Sequence, residues 1–123
     1  MNKKVFLVED ANDMREALVE LFDDVGGFEV VGTAATESAA TQWLQQHLGG
    51  WDLLVLDLII AEGSGFAVLA RAKEADIAGR VVVLSEFATP AIAERCIRMG
   101  ADRAFRKSEL QHLVEYMEAV KRG

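Results

Sequence analysis

A doubly wound α/β fold, with helices on both faces of a five-stranded parallel sheet, is predicted by three observations. Short apolar runs alternate with stretches of helical periodicity along the chain, which is the signature of repeated βα units. The runs ending at Val8, Leu56 and Leu84 are apolar throughout, as strands buried on both faces must be. The connections between them are short, and no linker, low-complexity stretch or internal repeat interrupts the alternation. A chain of 123 residues is then expected to form one domain, 1–123, large enough for a single real core.

The elements follow in order. Lys4-Val5-Phe6-Leu7-Val8 is the first strand and runs into Glu9-Asp10. Met14, Ala17, Leu18, Leu21, Phe22 and Val25 then fall on one face of a helix that Gly26-Gly27 stops. Phe28–Ala34 is a second, less uniform strand that suits a sheet edge. A helix from about Thr36 turns Trp43, Leu44 and Leu48 inward and ends at Gly49-Gly50. The strand Trp51–Leu56 delivers Asp57, and the loop Ala61-Glu62-Gly63-Ser64-Gly65 leads to a helix carrying Phe66, Leu69 and Ala70. Ile77-Ala78-Gly79 precedes the strand Val81–Leu84, which ends in Ser85. Thr89-Pro90 is an N-cap followed by a proline preset for the first helical turn, with Ile92, Ala93, Cys96 and Ile97 inward and Gly100 as the stop. Ala104-Phe105-Arg106 is a last short strand before Lys107. Ser108 and Gln111 form a capping-box pattern for a final helix with the stripe Leu110, Leu113, Val114, Met117 and Val120.

Composition removes several function classes. A net charge of −7 argues against phosphate-backbone binding, so no direct nucleic-acid partner is expected for this domain. The one cysteine, Cys96, cannot form an internal disulfide and reads as a small core hydrophobe. No apolar run reaches the roughly 18 residues of a membrane span, and Glu9-Asp10 interrupts the N-terminal apolar stretch before a secretory h-region is complete. A cytoplasmic protein with no membrane partner is expected. His47 and His112 stand alone without ligand spacing and are expected to be exposed.

Ligands of open parallel sheets bind outside the carboxyl ends of the strands, and that is where the polar residues collect. Three acids (Glu9, Asp10, Asp57), the Ser85 hydroxyl and the Lys107 amine would meet along one edge. Converging carboxylates repel unless a cation relieves them, and Mg²⁺ takes one or two carboxylates together with waters and phosphate oxygens. An ionised Asp is a competent nucleophile toward phosphorus, and phosphoryl transfer asks mainly for positioning and charge neutralisation. The set suits in-line transfer of a phosphoryl group to Asp57.

Through its Glu9-Asp10 pair, Asp57, the Gly65 loop, Ser85 and Lys107, the chain resembles the CheY-like receiver domains of two-component response regulators, over essentially its whole length. The resemblance implies a flavodoxin-like (βα)5 fold with strand order 2-1-3-4-5 and Mg²⁺ as the cofactor. It implies Asp57 as phosphoacceptor, and Asp10, Asp57, the Ile59 carbonyl and, mainly through water, Glu9 as the metal site. Ser85 and Lys107 would contact the phosphoryl group, and Phe105 would be the aromatic switch. A sensor histidine kinase or a His-containing phosphotransfer protein is the implied donor. The implied output is the face of the last two helices and the strand between them, where Glu94, Arg95, Arg98, Arg103, Glu115 and Glu118 would pair with a target or across a homodimer. Such a domain catalyses its own phosphorylation and slow dephosphorylation and is not a turnover enzyme.

The chain departs from the family pattern in places. Ala61 stands where a proline is usual, so a looser loop is expected. Glu86 follows Ser85 where a small residue is normal and would crowd or repel an incoming phosphoryl group. Ile59 and Phe87, both apolar, are expected to disfavour an attacking water and lengthen the phosphorylated state. The alternative is a pseudo-receiver that binds partners without phosphorylation, supported by Glu86 and Ala61. A phosphatase of the haloacid dehalogenase kind expects a second Asp where Ile59 stands. A flavodoxin-like cofactor carrier lacks a phosphate-cradling first loop. The sequence ends at Lys121-Arg122-Gly123, compatible with a stand-alone receiver or with the receiver piece of a longer regulator.

Overall fold

The computed structural model describes residues 2–75 and 78–122. Its elements are β1 (Lys3–Val8), α1 (Asn12–Val25), β2 (Phe28–Ala34), α2 (Glu37–Gln46), β3 (Leu53–Leu56), α3 (Gly65–Ala75), β4 (Arg80–Leu84), α4 (Pro90–Arg98), β5 (Arg103–Phe105), a single 3₁₀ turn (Lys107–Glu109) and α5 (Leu110–Arg122). All strand pairs are parallel, in the order β2-β1-β3-β4-β5. The flavodoxin-like fold and the strand order implied by the resemblance are those of the structure, and the less uniform β2 lies at an edge.

The period-2 alternation of the central strands divides the core into two layers. Phe6, Val8, Leu54, Leu56, Val81 and Val83 face Ala40, Leu44, Val68, Leu69, Ala72 and Cys96 from α2, α3 and α4. Val5, Leu7, Leu53, Val55, Val82 and Leu84 face Leu18, Phe22, Leu113, Met117 and Val120 from α1 and α5. Trp43 packs against the first layer, its ring stacked on Phe6 at 4.0 Å, and buried Trp51 lies over Gly79 before β4.

Several local expectations change. Leu48 is 66% exposed and Ile97 45% exposed, because α2 ends at Gln46 and only Cys96 of α4 is fully buried. Ala17 is likewise exposed. The expected Ser108–Gln111 capping box is absent, and the cap is built two residues earlier. There the Arg106 N–H donates to Glu109 Oε1 at 2.8 Å while the Glu109 N–H donates to the Arg106 carbonyl at 2.8 Å. A carboxylate accepts a backbone N–H more strongly than a neutral amide does, and Glu109 holds the matching position. Thr36 and Thr89 do cap α2 and α4, accepting from Ala39 N–H at 3.0 Å and Ile92 N–H at 3.4 Å. Of the expected run Ile77-Ala78-Gly79, Ile77 lies outside the described residues.

Register decides where the strands end together. Val8 pairs with Leu56, Leu56 with Val83, and Leu84 with Phe105. The residues that follow, Glu9, Asp57, Ser85 and Arg106-Lys107, therefore leave the sheet at nearly one level, beside the point where strand order reverses.

Candidate functional site

Among the described residues the buried polar or charged ones are Glu9, Asp57 and Ser85, and all three follow directly on strand ends. Backbone hydrogen bonds fix them there. Asp57 N–H donates to the Val8 carbonyl, Glu9 N–H to that of Ala34 and Ser85 N–H to that of Phe105, each at 3.0 Å.

Lys107 draws the group together. Its Nζ lies 2.8 Å from Glu9 Oε1 and 2.8 Å from Asp57 Oδ2. The other oxygen of each carboxylate is occupied by backbone, with Glu9 Oε2 accepting Ala11 N–H at 3.0 Å and Asp57 Oδ1 accepting Ile59 N–H at 3.1 Å. Glu9 thus also serves the start of α1, and Arg15 Nη1 donates to its carbonyl at 2.9 Å. The Ser85 Oγ accepts Phe87 N–H at 3.2 Å, which leaves its own hydroxyl hydrogen free to donate elsewhere.

Electrostatics at the site follow from burial. Burial pushes the Glu9 carboxyl above its ordinary value, against the Lys107 ammonium and the Ala11 N–H, which favour its charged form, and with the Asp57 charge adding to the rise. Burial alone would pull Lys107 down. Its hydrogen bonds to Asp57 and Glu9 and their two charges prevail and push it up to about 12.

A cavity of about 240 Å³ opens over Asp57, lined also by Asp10, Ile59, Ser85, Glu86, Phe87 and Lys107. One carboxylate oxygen from each of Glu9, Asp10 and Asp57 lies within 4.8 Å of the others. The donors are all oxygen, two of the acids are buried, and one lysine neutralises a three-acid cluster only in part. That chemistry fits a hard divalent cation such as Mg²⁺.

Ile59 is 59% and Phe87 45% exposed at the cavity mouth. Glu86 is exposed on its rim and also lines a neighbouring cavity with Arg106, Lys107 and Ser108. Phe105 does not line the cavity over Asp57. It is half-buried on the second core layer, with Tyr116 and His112 ring centroids at 6.5 and 6.3 Å. His47 and His112 are exposed as expected.

The loop after Asp57 is not loose. Ala61 N–H donates to the Ala35 carbonyl at 3.1 Å and Gly65 N–H to that of Leu58 at 3.0 Å. Glu37 N–H donates to the Glu62 carbonyl at 2.8 Å, and Glu37 Oε1 accepts Ser64 N–H at 2.9 Å. A proline at position 61 would lack the N–H that bonds Ala35. Glu37 and Ser64 are participants that sequence reasoning missed, since nothing in a 27-residue separation marks them as partners.

Comparison with known proteins agrees with this geometry. The family model described as "Response regulator receiver domain" matches residues 5–118. A Pseudomonas aeruginosa protein named as a transcriptional regulator is 33% identical over 98% of this chain and 57% of its own length. The chain thus spans just over half the length of the curated relatives it matches. The two-component response regulator of the LuxR family from Aurantimonas sp. SI85-9A1 superimposes with TM-score 0.85 at 25% identity, covering 100% of this chain and 87% of that one. The signal receiver domain of the response regulator NarL from Mycobacterium tuberculosis gives 0.84 at 25% identity, covering 99% and 98%.

Proposed function

Because the chain belongs to the response regulator receiver domain family, we propose that it is a phosphorylation switch with Asp57 as phosphoacceptor. The observation that supports this most is the Lys107 ammonium, 2.8 Å from both Glu9 and Asp57 at strand ends brought level by register. The family works with histidine kinases and phosphotransfer proteins, and either is the proposed donor.

In the proposed reaction an Asp57 carboxylate oxygen attacks phosphorus in line. The O–P bond forms as the bond from phosphorus to the donor imidazole nitrogen breaks, and the imidazole leaves with that electron pair. Lys107 and the Ile59 N–H each hold one oxygen of Asp57, so the nucleophile is oriented before the donor arrives. Asp10, Asp57, the Ile59 carbonyl and, through water, Glu9 would hold Mg²⁺, which when bound neutralises carboxylate and phosphoryl oxygens. Lys107 then exchanges a carboxylate contact for a phosphoryl oxygen, and the Ser85 hydroxyl donates to another.

Ser85 couples the site to the rest of the molecule. Its N–H is bonded to the Phe105 carbonyl, so movement of Ser85 toward a phosphoryl group pulls on β5 and on the packing of Phe105 against Tyr116. The proposed consequence is a population shift in the α4-β5-α5 face toward a target or a homodimer. A DNA-directed output, as the names of the relatives suggest, would need protein beyond this domain.

The test is incubation with Mg²⁺ and acetyl phosphate, read by intact mass. One phosphoryl group should appear on the wild type and none on Asp57→Asn. A wild type that stays unmodified, and whose tryptophan fluorescence ignores beryllofluoride, would establish the pseudo-receiver reading instead.

A further inference from the structure

Where the family usually has a proline after the phosphoacceptor, this chain has Ala61, yet the loop is restrained from the neighbouring βα unit. Thr36 and Glu62 form an isolated parallel bridge. Glu37, the first residue of α2, then holds the loop at two points. Its N–H donates to the Glu62 carbonyl at 2.8 Å and its Oε1 accepts the Ser64 N–H at 2.9 Å.

The fit is also steric. A Cβ on Gly63 would lie 2.4 Å from Glu37 Cβ and 2.5 Å from its Oε1, so the Glu37 side chain fills the space that a larger residue at 63 would need. Gly63 has φ +85°, a conformation costly for any other residue. The loop so gripped begins two residues after Asp57, and its first member, Ile59, already bonds Asp57 Oδ1 through its N–H.

We propose that Glu37 is a positioning residue for phosphoryl transfer, its carboxylate fixing the Ile59–Gly65 segment so that Asp57 and the Ile59 backbone meet ligand in a preset geometry. This deepens the phosphoacceptor reading and rests on it. The physical reason is that a charge-assisted hydrogen bond to a backbone N–H is among the stronger polar restraints. Small displacements of an oriented reacting group also cost disproportionately in rate.

The experiment compares wild type, Glu37→Ala and Glu37→Gln in the intact chain. Gln keeps an amide oxygen able to accept the Ser64 N–H, whereas Ala keeps only the backbone half of the grip. Three quantities are read: Mg²⁺ and beryllofluoride affinity by tryptophan fluorescence, amide hydrogen exchange at Ile59 and Ser64 without metal, and the melting temperature. Glu37→Ala should weaken beryllofluoride binding about tenfold or more and speed exchange at Ile59 as well as Ser64. Glu37→Gln should stay within about threefold of wild type, and the melting temperature should not track the affinity loss. Unchanged affinity in Glu37→Ala, or a loss that only follows global destabilisation, overturns the positioning role while the phosphoacceptor reading stands. A wild type that ignores both ligands overturns the two together.

Discussion

Glu9 is held in the interior by Lys107, whose Nζ lies 2.8 Å from its Oε1 while the Glu9 side chain is only 3% exposed. Removing one member of such a pair strands the other without its counter-charge. In the metal-free protein Lys107→Met is expected to cost about 1–3 kcal/mol by urea unfolding. Glu9→Gln in the same background should restore part of it, because one buried carboxylate, Asp57, is then left without the ammonium instead of two. Additive single and double variants in a mutant cycle would rule out the coupling.

The same pair sets a pH dependence in EDTA. The folded Glu9 pKa is raised above 4.5, so the folded state binds this proton more tightly than the unfolded chain. Its stabilising contribution is fully present below 4.5 and is lost as pH rises through the folded value. Lys107 is raised from 10.5 to about 12. Its contribution is complete below 10.5 and disappears as pH rises through about 12. Unfolding free energies measured across pH should show Glu9→Gln abolishing the loss of stability that Glu9 contributes as pH rises above 4.5, and Lys107→Met abolishing the loss that Lys107 contributes as pH rises above 10.5.

Mg²⁺ should raise the melting temperature of the wild type, since a ligand bound only by the native state stabilises it by mass action, about 2.7 kcal/mol at a hundredfold excess over Kd. EDTA should reverse the gain, and Asp10→Asn should lose most of it. An equal Mg²⁺ response in Asp10→Asn would mean the ion binds elsewhere.

Ile59 and Phe87 stand half-exposed at the cavity mouth, where apolar groups give an attacking water nothing to bond. Ile59→Asn and Phe87→Ala should each shorten the lifetime of phosphoryl-Asp57 severalfold, measured by loss of the phosphoryl mass after donor removal. Glu86→Ala, which clears a carboxylate from the rim, should speed phosphorylation by acetyl phosphate.

Gly65 packs against the backbone of Asp57, the proposed phosphoacceptor. A Cβ there would lie 2.2 Å from the Asp57 carbonyl oxygen and 2.5 Å from Leu58 Cα. Since backbone cannot swing aside as a side chain can, Gly65→Ala should destabilise by about 1–3 kcal/mol and weaken beryllofluoride binding beyond that loss. A variant with wild-type melting and binding would show that the loop absorbs the methyl group.

Hydrophobic patterning alone was enough to place the five strands and helices, because strands buried on both faces must be continuously apolar and surface helices must carry a stripe. It also identified Asp57, Glu9, Ser85 and Lys107 as strand-end residues. It misplaced the cap before α5, because Ser108 and Gln111 match a pattern that Glu109 fulfils with its charge at the start of the preceding 3₁₀ turn. It turned Leu48 and Ile97 inward, but Leu48 lies past the end of α2 and Ile97 lies off the face that Cys96 and Met99 turn to the core.

Asp57 as a charge at the end of an apolar strand was thus legible in one dimension, along with the family it signals. What only the tertiary structure decided was how that charge is held. Register set the strand ends level, Lys107 reached both Glu9 and Asp57, and Glu37 came from another βα unit to grip the Asp57 loop where a proline is missing. These contacts join residues far apart in sequence, and no local spacing rule encodes a distance that exists only once the sheet has formed.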